Sequence, residues 1–152
     1  MSSRSEFPGQ PVVGVGGVII SGERALLIRR GSEPLKGEWS IPGGRLELGE
    51  TIAGGVVREL REETGLDVRV LSLIEVFERI FRDEEAPAAK PPRYHFVILD
   101  YLCEVVNGEP RPGSDVTGLA WAREEELPRF RLTPTATRVL RQAFQMARAW
   151  PR

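Results

Sequence analysis

The apolar positions of this chain fall into stretches of two-residue period separated by two stretches of helical period. Val12 to Ile20 is dense in valine and isoleucine, Ser21-Gly22-Glu23 has turn chemistry, and Ala25 to Arg30 is apolar again. These residues predict a β-hairpin. Gly14, Gly16 and Gly17 interrupt its first strand, which marks a bulge, the close approach of a ligand, or tight sheet packing. Residues 31–44 predict a loop that holds a short strand at Trp39-Ser40-Ile41 and ends in Pro42-Gly43-Gly44. A helix is predicted from about Thr51 to Thr64, with Gly65 as its C-terminal stop. Leu66 to Phe81 alternates as one long strand or two. Pro87, Pro91 and Pro92 make residues 82–92 a predicted mobile loop. Tyr94 to Val106 is the clearest strand, Asn107-Gly108 a turn signal, and Leu119-Ala120-Trp121 a short strand. Thr133 as N-cap and Pro134 at the first helical position open a last helix. Its Ala136, Val139, Leu140, Ala143, Phe144 and Ala147 form a core stripe. Strands with one early and one terminal helix predict an α/β fold, a mixed sheet between helices. Residues 1–10 are expected to be a flexible tail and 11–152 a single domain, without internal repeats.

Bulk properties narrow the function classes only slightly. A chain of 152 residues is long enough for one domain with a sizeable core. A net charge of −1 gives no nucleic-acid or membrane surface, so neither partner is expected. Lys36 and Lys90 are the only lysines among the basic residues; arginine suits phosphate recognition but is also a common surface residue. Cys103 is the single cysteine, which excludes an internal disulfide and reads as a half-buried structural thiol. With no apolar signal core in the first ten residues and no run near the ~18 residues of a membrane span, a cytoplasmic location is expected.

The chemistry concentrates in residues 44–66, where Glu50, Glu59, Glu62 and Glu63 sit at fixed offsets. On a wheel of ~100° per residue, with Glu59 at zero, Glu63 falls near about 40° and Glu62 near about −60°. Ile52, Val56 and Leu60 fall on the adjoining stripe, near about 20°, 60° and 100°. The apolar stripe therefore anchors the helix on the sheet and holds the acids at the edge of a cleft. Like charges at this spacing destabilise a helix unless a cation joins them. A hard divalent metal is the simplest such cation. The competing reading is a surface helix whose glutamates are neutralised by Arg58 and Arg61. Gly55, near about −40° on the same wheel, leaves room for a loop or ligand one turn before the acids; Gly54 has no functional account.

The spacing Gly44, five residues, Glu50, seven residues, Arg58-Glu59-Leu60-Arg61-Glu62-Glu63-Thr64-Gly65-Leu66 resembles a complete Nudix box, with every fixed position matched. The order of elements around it is similar to that family over most of the chain. The resemblance implies a Nudix-type α/β/α sandwich and a Mg²⁺-dependent hydrolase of phosphoanhydride bonds, with Mn²⁺ as a substitute metal. It implies metal ligation by the carbonyl of Gly44 and the carboxylates of Glu59 and Glu63, with Glu62 direct or through water. Arg58 would orient the acids, and Glu50 would support the site from behind or on a metal. In this family the general base is often a carboxylate in a loop before the last strand. Asp115 occupies such a place and is the first candidate; Glu59 is the second.

The substrate side is weakly encoded. Arg29 and Arg30 end a strand that leads toward the box, so either could reach a phosphate, and Trp39 could stack on a base. Arg29, Trp39 and Glu50 are the substrate-side candidates. Phe77, Arg79 and Phe81 alternate with Glu78 and Ile80, so one set faces a pocket or a partner. Pro34 to Gly44 and Tyr94-His95-Phe96-Val97 look like small bacterial Nudix enzymes assigned to ADP-ribose. Arg82 stands where many of those enzymes carry a proline. ADP-ribose is the first expected substrate. The alternatives are a (d)NTP pyrophosphatase that cleanses the nucleotide pool and a non-catalytic nucleotide-sensing domain. The resemblance also implies a homodimer.

Overall fold

The computed structural model describes residues 5–84 and 90–151. Seven strands and two α-helices follow in the order β1 (Val12–Ser21), β2 (Arg24–Arg30), β3 (Trp39–Ser40), β4 (Gly43–Arg45), α1 (Ile52–Thr64), β5 (Asp67–Phe81), β6 (Tyr94–Asn107), β7 (Val116–Arg123), a 3-10 helix (Glu124–Phe130) and α2 (Pro134–Ala149). All seven strands form one mixed sheet, with the path β3-β2-β1-β6-β5; β4 pairs with β1 and β7 with β2. Only β1 and β6 run parallel, from Val12↔Phe96 to Ile19↔Cys103. The predicted hairpin is present, but β1 and β2 pair only at Ile20↔Ala25 and Ser21↔Arg24. Beyond those pairs β4 takes the edge of β1, setting Gly44 opposite Val15 and Gly43 opposite Gly16. The loop segment Pro42-Gly43-Gly44 is thus stitched into the sheet centre, which fixes the edge that faces α1.

The two helices pack on opposite faces of the sheet and give the α/β/α sandwich. On one face Val56 and Leu60 of α1 meet Val15, Ile19, Leu26, Val68 and Cys103. On the other, Val139, Leu140, Ala143 and Phe144 of α2 meet Val18, Leu27, Ile74, Leu102 and Ala122. Thr51 caps α1 by accepting from the N–H of Gly54, and Gly65 ends it at φ 76°, a left-handed conformation that glycine adopts without a Cβ clash. Thr133 caps α2 in the same way through Ala136, with Pro134 at its start. Leu60 is fully buried. Leu60→Ala should lower unfolding free energy by about 2–5 kcal/mol, the usual cost of an aliphatic cavity, read by urea denaturation.

One expectation changes and three readings are sharpened. Ile52, assigned to the anchoring stripe, is 37% exposed, because it lies at the first helical position, beyond the sheet. The space at Gly55 is taken by Leu46 of the preceding loop, 2.7 Å from where a Cβ would stand, so it admits a loop and not a ligand. A Cβ at Gly54 would stand 2.8 Å from the capping hydroxyl of Thr51, which gives that glycine a local packing role. The strand predicted at Leu119–Trp121 runs from Val116 to Arg123 and pairs with β2, not with β6 across Asn107-Gly108. The intervening chain is carried away from β6 because Arg111 N–H donates to Thr64 O (2.8 Å) and Gly113 N–H to Glu63 O (3.1 Å), at the end of α1.

Part of the expected tail is tethered: Phe7 N–H donates to Arg93 O at 2.7 Å and the Tyr94 hydroxyl to Glu6 at 3.2 Å. Residues 1–4, and Pro87 with its neighbours in the predicted loop, lie outside the described residues. Among the described residues no helix is long and apolar enough to cross a membrane.

Candidate active site

Helix α1 lays its acids along β4. Glu63 reaches back to the sheet, and one carboxylate oxygen accepts the Gly43 N–H at 2.8 Å. The carboxylate of Glu59 lies against the Cα of Gly44, so that a Cβ there would overlap Glu59 Oε2. Glu59 and Glu63 thus converge on the Gly43-Gly44 step, three of the four metal-site positions expected from the sequence. Glu62 points outward, its side chain 58% exposed.

Arg58 organises this cluster. Its Nε donates to Glu50 Oε2 (2.6 Å) and one terminal nitrogen to Glu50 Oε1 (2.9 Å) and Arg45 O (2.9 Å). The other terminal nitrogen donates to Glu59 Oε1 at 2.8 Å and reaches Glu62 at 3.3 Å. The guanidinium of Arg58, seconded by the Glu47 N–H, holds the Glu50 carboxyl at about 2. Glu59 behaves oppositely: burial raises its pKa even though Arg58 touches it. Glu63 rises to about 7, because burial, with the neighbouring charge of Glu59, outweighs the hydrogen bond from Gly43 and the charge of Arg30. A desolvated carboxyl without a side-chain counterion gains most from a cation.

The donor set fits a hard divalent ion, since Glu59, Glu62, Glu63 and the Gly44 backbone offer only oxygen. The fit is incomplete as the chain stands: among the described residues no three acidic, histidine or cysteine side chains enclose an ion-sized space. The physical reason is Arg58, which draws Glu50, one oxygen of Glu59 and Glu62 to itself. The neutralisation reading holds for Arg58 but not for Arg61, which pairs with Asp67 instead. Arginine neutralises Glu50 and steadies Glu59, while among the described residues Glu63 and the second oxygen of Glu59 accept no arginine hydrogen bond, and Arg30 reaches Glu63 only through its charge.

Beside Gly43 and Gly44 opens a cleft with about 670 Å³ of empty space, its solvent mouth included. Arg30, Phe77, Arg79, Phe81, Phe96 and Asp100 are among its lining. The alternation of β5 thus turns Phe77, Arg79 and Phe81 inward and leaves Glu78 and Ile80 exposed. Burial lowers the pKa of both Arg30 and Arg79; Glu63 is the main group acting against this on Arg30. Of the two arginines ending β2, Arg30 reaches the cleft, while Arg29 is exposed and donates to Gly37 O at 3.0 Å. Trp39 lies outside the cleft lining; it packs edge-on against Phe130 at 5.3 Å and across Gly118. Asp115 is exposed, in the loop pinned over the end of α1, and its charge acts on Arg30. Glu50 faces Arg58 and not the cleft.

Sequence reasoning passed over Asp100. The signal was available: an acid inside the apolar run Phe96-Val97-Ile98-Leu99-Asp100-Tyr101-Leu102 has to be buried if the strand is central.

Known proteins share this fold. The NUDIX domain family profile matches residues 10–143. An ADP-ribose pyrophosphatase of Methanocaldococcus jannaschii is 37% identical over 120 residues, covering 79% of this chain and 66% of that protein. A putative 8-oxo-dGTP diphosphatase 2 of Mycobacterium tuberculosis is 34% identical over 114 residues, covering 74% of each. The crystal structure of a MutT NUDIX hydrolase from Burkholderia pseudomallei superposes with a TM-score of 0.73 at 32% identity, covering 88% of this chain and 98% of that one. The box, the sandwich that carries it and these likenesses together place the chain in the Nudix hydrolase family.

Proposed function

We propose that this protein is a Mg²⁺-dependent pyrophosphohydrolase of a nucleoside diphosphate linked to a second group, with ADP-ribose as first substrate. The observation that carries the reading is the Glu63 carboxyl, buried against Gly43 N–H beside Glu59 and, among the described residues, hydrogen-bonded by no cationic side chain, Arg30 acting on it only through its charge. The archaeal relative named for ADP-ribose supports the choice of substrate. A pyrophosphatase of oxidised purine triphosphates is the second reading, supported by the mycobacterial relative.

Divalent metal, when bound, neutralises phosphate charge and activates water for in-line attack on phosphorus. The chain's own part is to hold ligands and substrate in place. Arg58 fixes the rotamers of Glu50 and Glu59, as groups behind a metal site do. Arg30, half-buried beside Glu63, offers a cation to a phosphate at the cleft mouth. Asp115 is the proposed proton acceptor, with Glu59 the alternative. The aromatic side chains of β5 and β6 give the nucleoside an apolar seat.

Hydrolysis of ADP-ribose and of 8-oxo-dGTP with Mg²⁺, with Mn²⁺ and with EDTA tests this, with products identified by mass. AMP and ribose phosphate support the first reading. A nucleoside monophosphate and pyrophosphate support the second. Metal-independent turnover, or none on either substrate, refutes the proposal.

A further inference from the structure

The cleft contains a buried acid that the proposed hydrolysis does not use. Asp100 stands on β6 between Gly16 of β1 and Glu75 of β5, and is only 4% exposed. Its carboxyl lies over Gly16, where a Cβ would stand 2.5 Å from Oδ1 and 2.9 Å from Pro42 O. Gly16 also pairs with Gly43, so Asp100, Gly16 and Gly43 form one row across the sheet. Among the described residues no side chain or backbone N–H donates to the Asp100 carboxyl. The charged group that acts on it, Glu75, has the same sign and is itself engaged by Arg138 of α2. Burial and Glu75 together raise the Asp100 pKa to about 7.

A carboxyl this deep, without a protein donor though its oxygens are not sealed from solvent, is costly and is rarely left so without a use. This one opens into the cleft, beside Phe96 and Ile98 on its own strand and Phe77 on the next. Arg30 and Gly43-Gly44 mark the phosphate end of the same cleft. On the functional reading above, both favoured substrates are purine nucleotides, and adenine and guanine each carry an exocyclic amino group.

We propose that Asp100 selects the base, its carboxyl accepting the exocyclic amino group of a purine seated among Phe77, Phe96 and Ile98. In its ionised form, the form at pH 8, the carboxylate offers acceptors only, so a keto oxygen or a bare C–H at that place leaves it unsatisfied. The inference rests on the nucleotide-hydrolase reading, and its test separates the two.

Wild type, Asp100→Ala and Asp100→Asn are compared by calorimetry with EDTA present on two matched pairs: AMP against purine riboside 5′-monophosphate, and GMP against IMP. Wild type should prefer the amino-bearing member of one pair by about tenfold or more, the worth of a hydrogen bond to a charged group. Asp100→Ala should abolish that preference. Where turnover is measured, the loss should appear in KM for the amino-bearing substrate, with kcat retained. Both variants should melt no lower than wild type at pH 8, since they remove an unpaired buried carboxylate. Three results overturn the proposal: a preference that survives in Asp100→Ala, no preference in the wild type for either pair, or an equal loss of kcat on all substrates. The last would make Asp100 a positioning residue for the Pro42–Gly44 turn. Selective binding without any hydrolysis would sustain the base-selecting role and refute the enzymatic reading.

Discussion

Glu63→Gln should reduce turnover by about a thousandfold, the upper end of what loss of one preorganised electrostatic group costs, while the fold is retained. The amide keeps the oxygen that accepts from Gly43 N–H, so the tie between α1 and β4 survives. It replaces the other carboxylate oxygen with a donor, which cannot ligate a hard cation. Two stability readouts accompany the kinetic one. Mg²⁺ should raise the melting temperature of the wild type, because a ligand that binds only the folded state stabilises it, and should raise that of the variant far less. Without metal, the variant should melt at or above the wild type at pH 8, since a carboxyl that resists ionisation has been removed. A variant with wild-type turnover would remove Glu63 from the metal site altogether.

The same residue predicts a pH dependence, with a definite sign. Burial raises the folded-state pKa of Glu63 above its ordinary value. The unfolded chain therefore gives up this proton first as pH rises. Stability contributed by the protonated form is present below the ordinary carboxylate range and is lost as pH climbs toward about 7. Asp100 acts in the same direction over the same window. Metal-free wild-type protein should accordingly be more stable near pH 5 than near pH 8. Glu63→Gln should shrink that difference and Asp100→Ala should shrink it independently, as measured by urea denaturation at the two pH values. Glu50 opposes this trend only at strongly acid pH, because its pKa is lowered by Arg58 and the stability from that pair fades as pH falls toward about 2.

The legible parts of the chain were those governed by local rules. Periodicity located α1, α2, β1, β2, β5 and β6, and the start near Thr51, the stop at Gly65 and the cap at Thr133 before Pro134 set both ends of α1 and the start of α2 to within a residue. The three-and-four spacing of Glu59, Glu62 and Glu63 put the acids on one side of α1, and the split between inward Glu63 and outward Glu62 followed once the sheet was in place. What could not be read depends on residues far apart in sequence. β4 exists because β1 and β2 separate after two residue pairs, and nothing in Gly43–Arg45 alone requires a strand. The choice between Arg29 and Arg30 turns on which face of β2 lies toward Glu63, a matter of register and not of residue type. Trp39 carried a stacking surface in the sequence, but Phe130, ninety-one residues on, occupies it. Arg58 was expected to orient the acids or, with Arg61, to neutralise them; that Arg58 alone takes them while Arg61 turns to Asp67 emerges only from the distances.

Substituting the two glycines of β4 separates folding from function, and this contrast should be nearly as large as that of Glu63→Gln. A Cβ at Gly43 would overlap the backbone oxygen of Val15 and stand 2.7 Å from the Cα of Gly16. Both are main-chain atoms of a central strand, held by the parallel ladder with β6, and cannot step aside. Gly43→Ala should thus cost about 1–3 kcal/mol or more, as overpacking of a rigid interior does, and appear first as a lowered melting temperature. At Gly44 the obstacle is different, because the overlapping atoms belong to the Glu59 carboxylate, the far end of a flexible side chain. Gly44→Ala should be accommodated by rotation of that side chain, with a small change in melting temperature. The rotation would pull Glu59 off the Gly44 step and strain its 2.8 Å bond to Arg58. Activity at fixed Mg²⁺ should fall by about a hundredfold, the scale seen when the support of a metal ligand is lost, and should recover partly as Mg²⁺ is raised. A Gly44→Ala protein that keeps full activity at low Mg²⁺ would show that Glu59 has no need of its place against β4. The two alanines sit one residue apart on the same strand, so their opposite readouts would also show that the close approach of α1 to Gly44 serves the carboxylates and not the packing of the sheet.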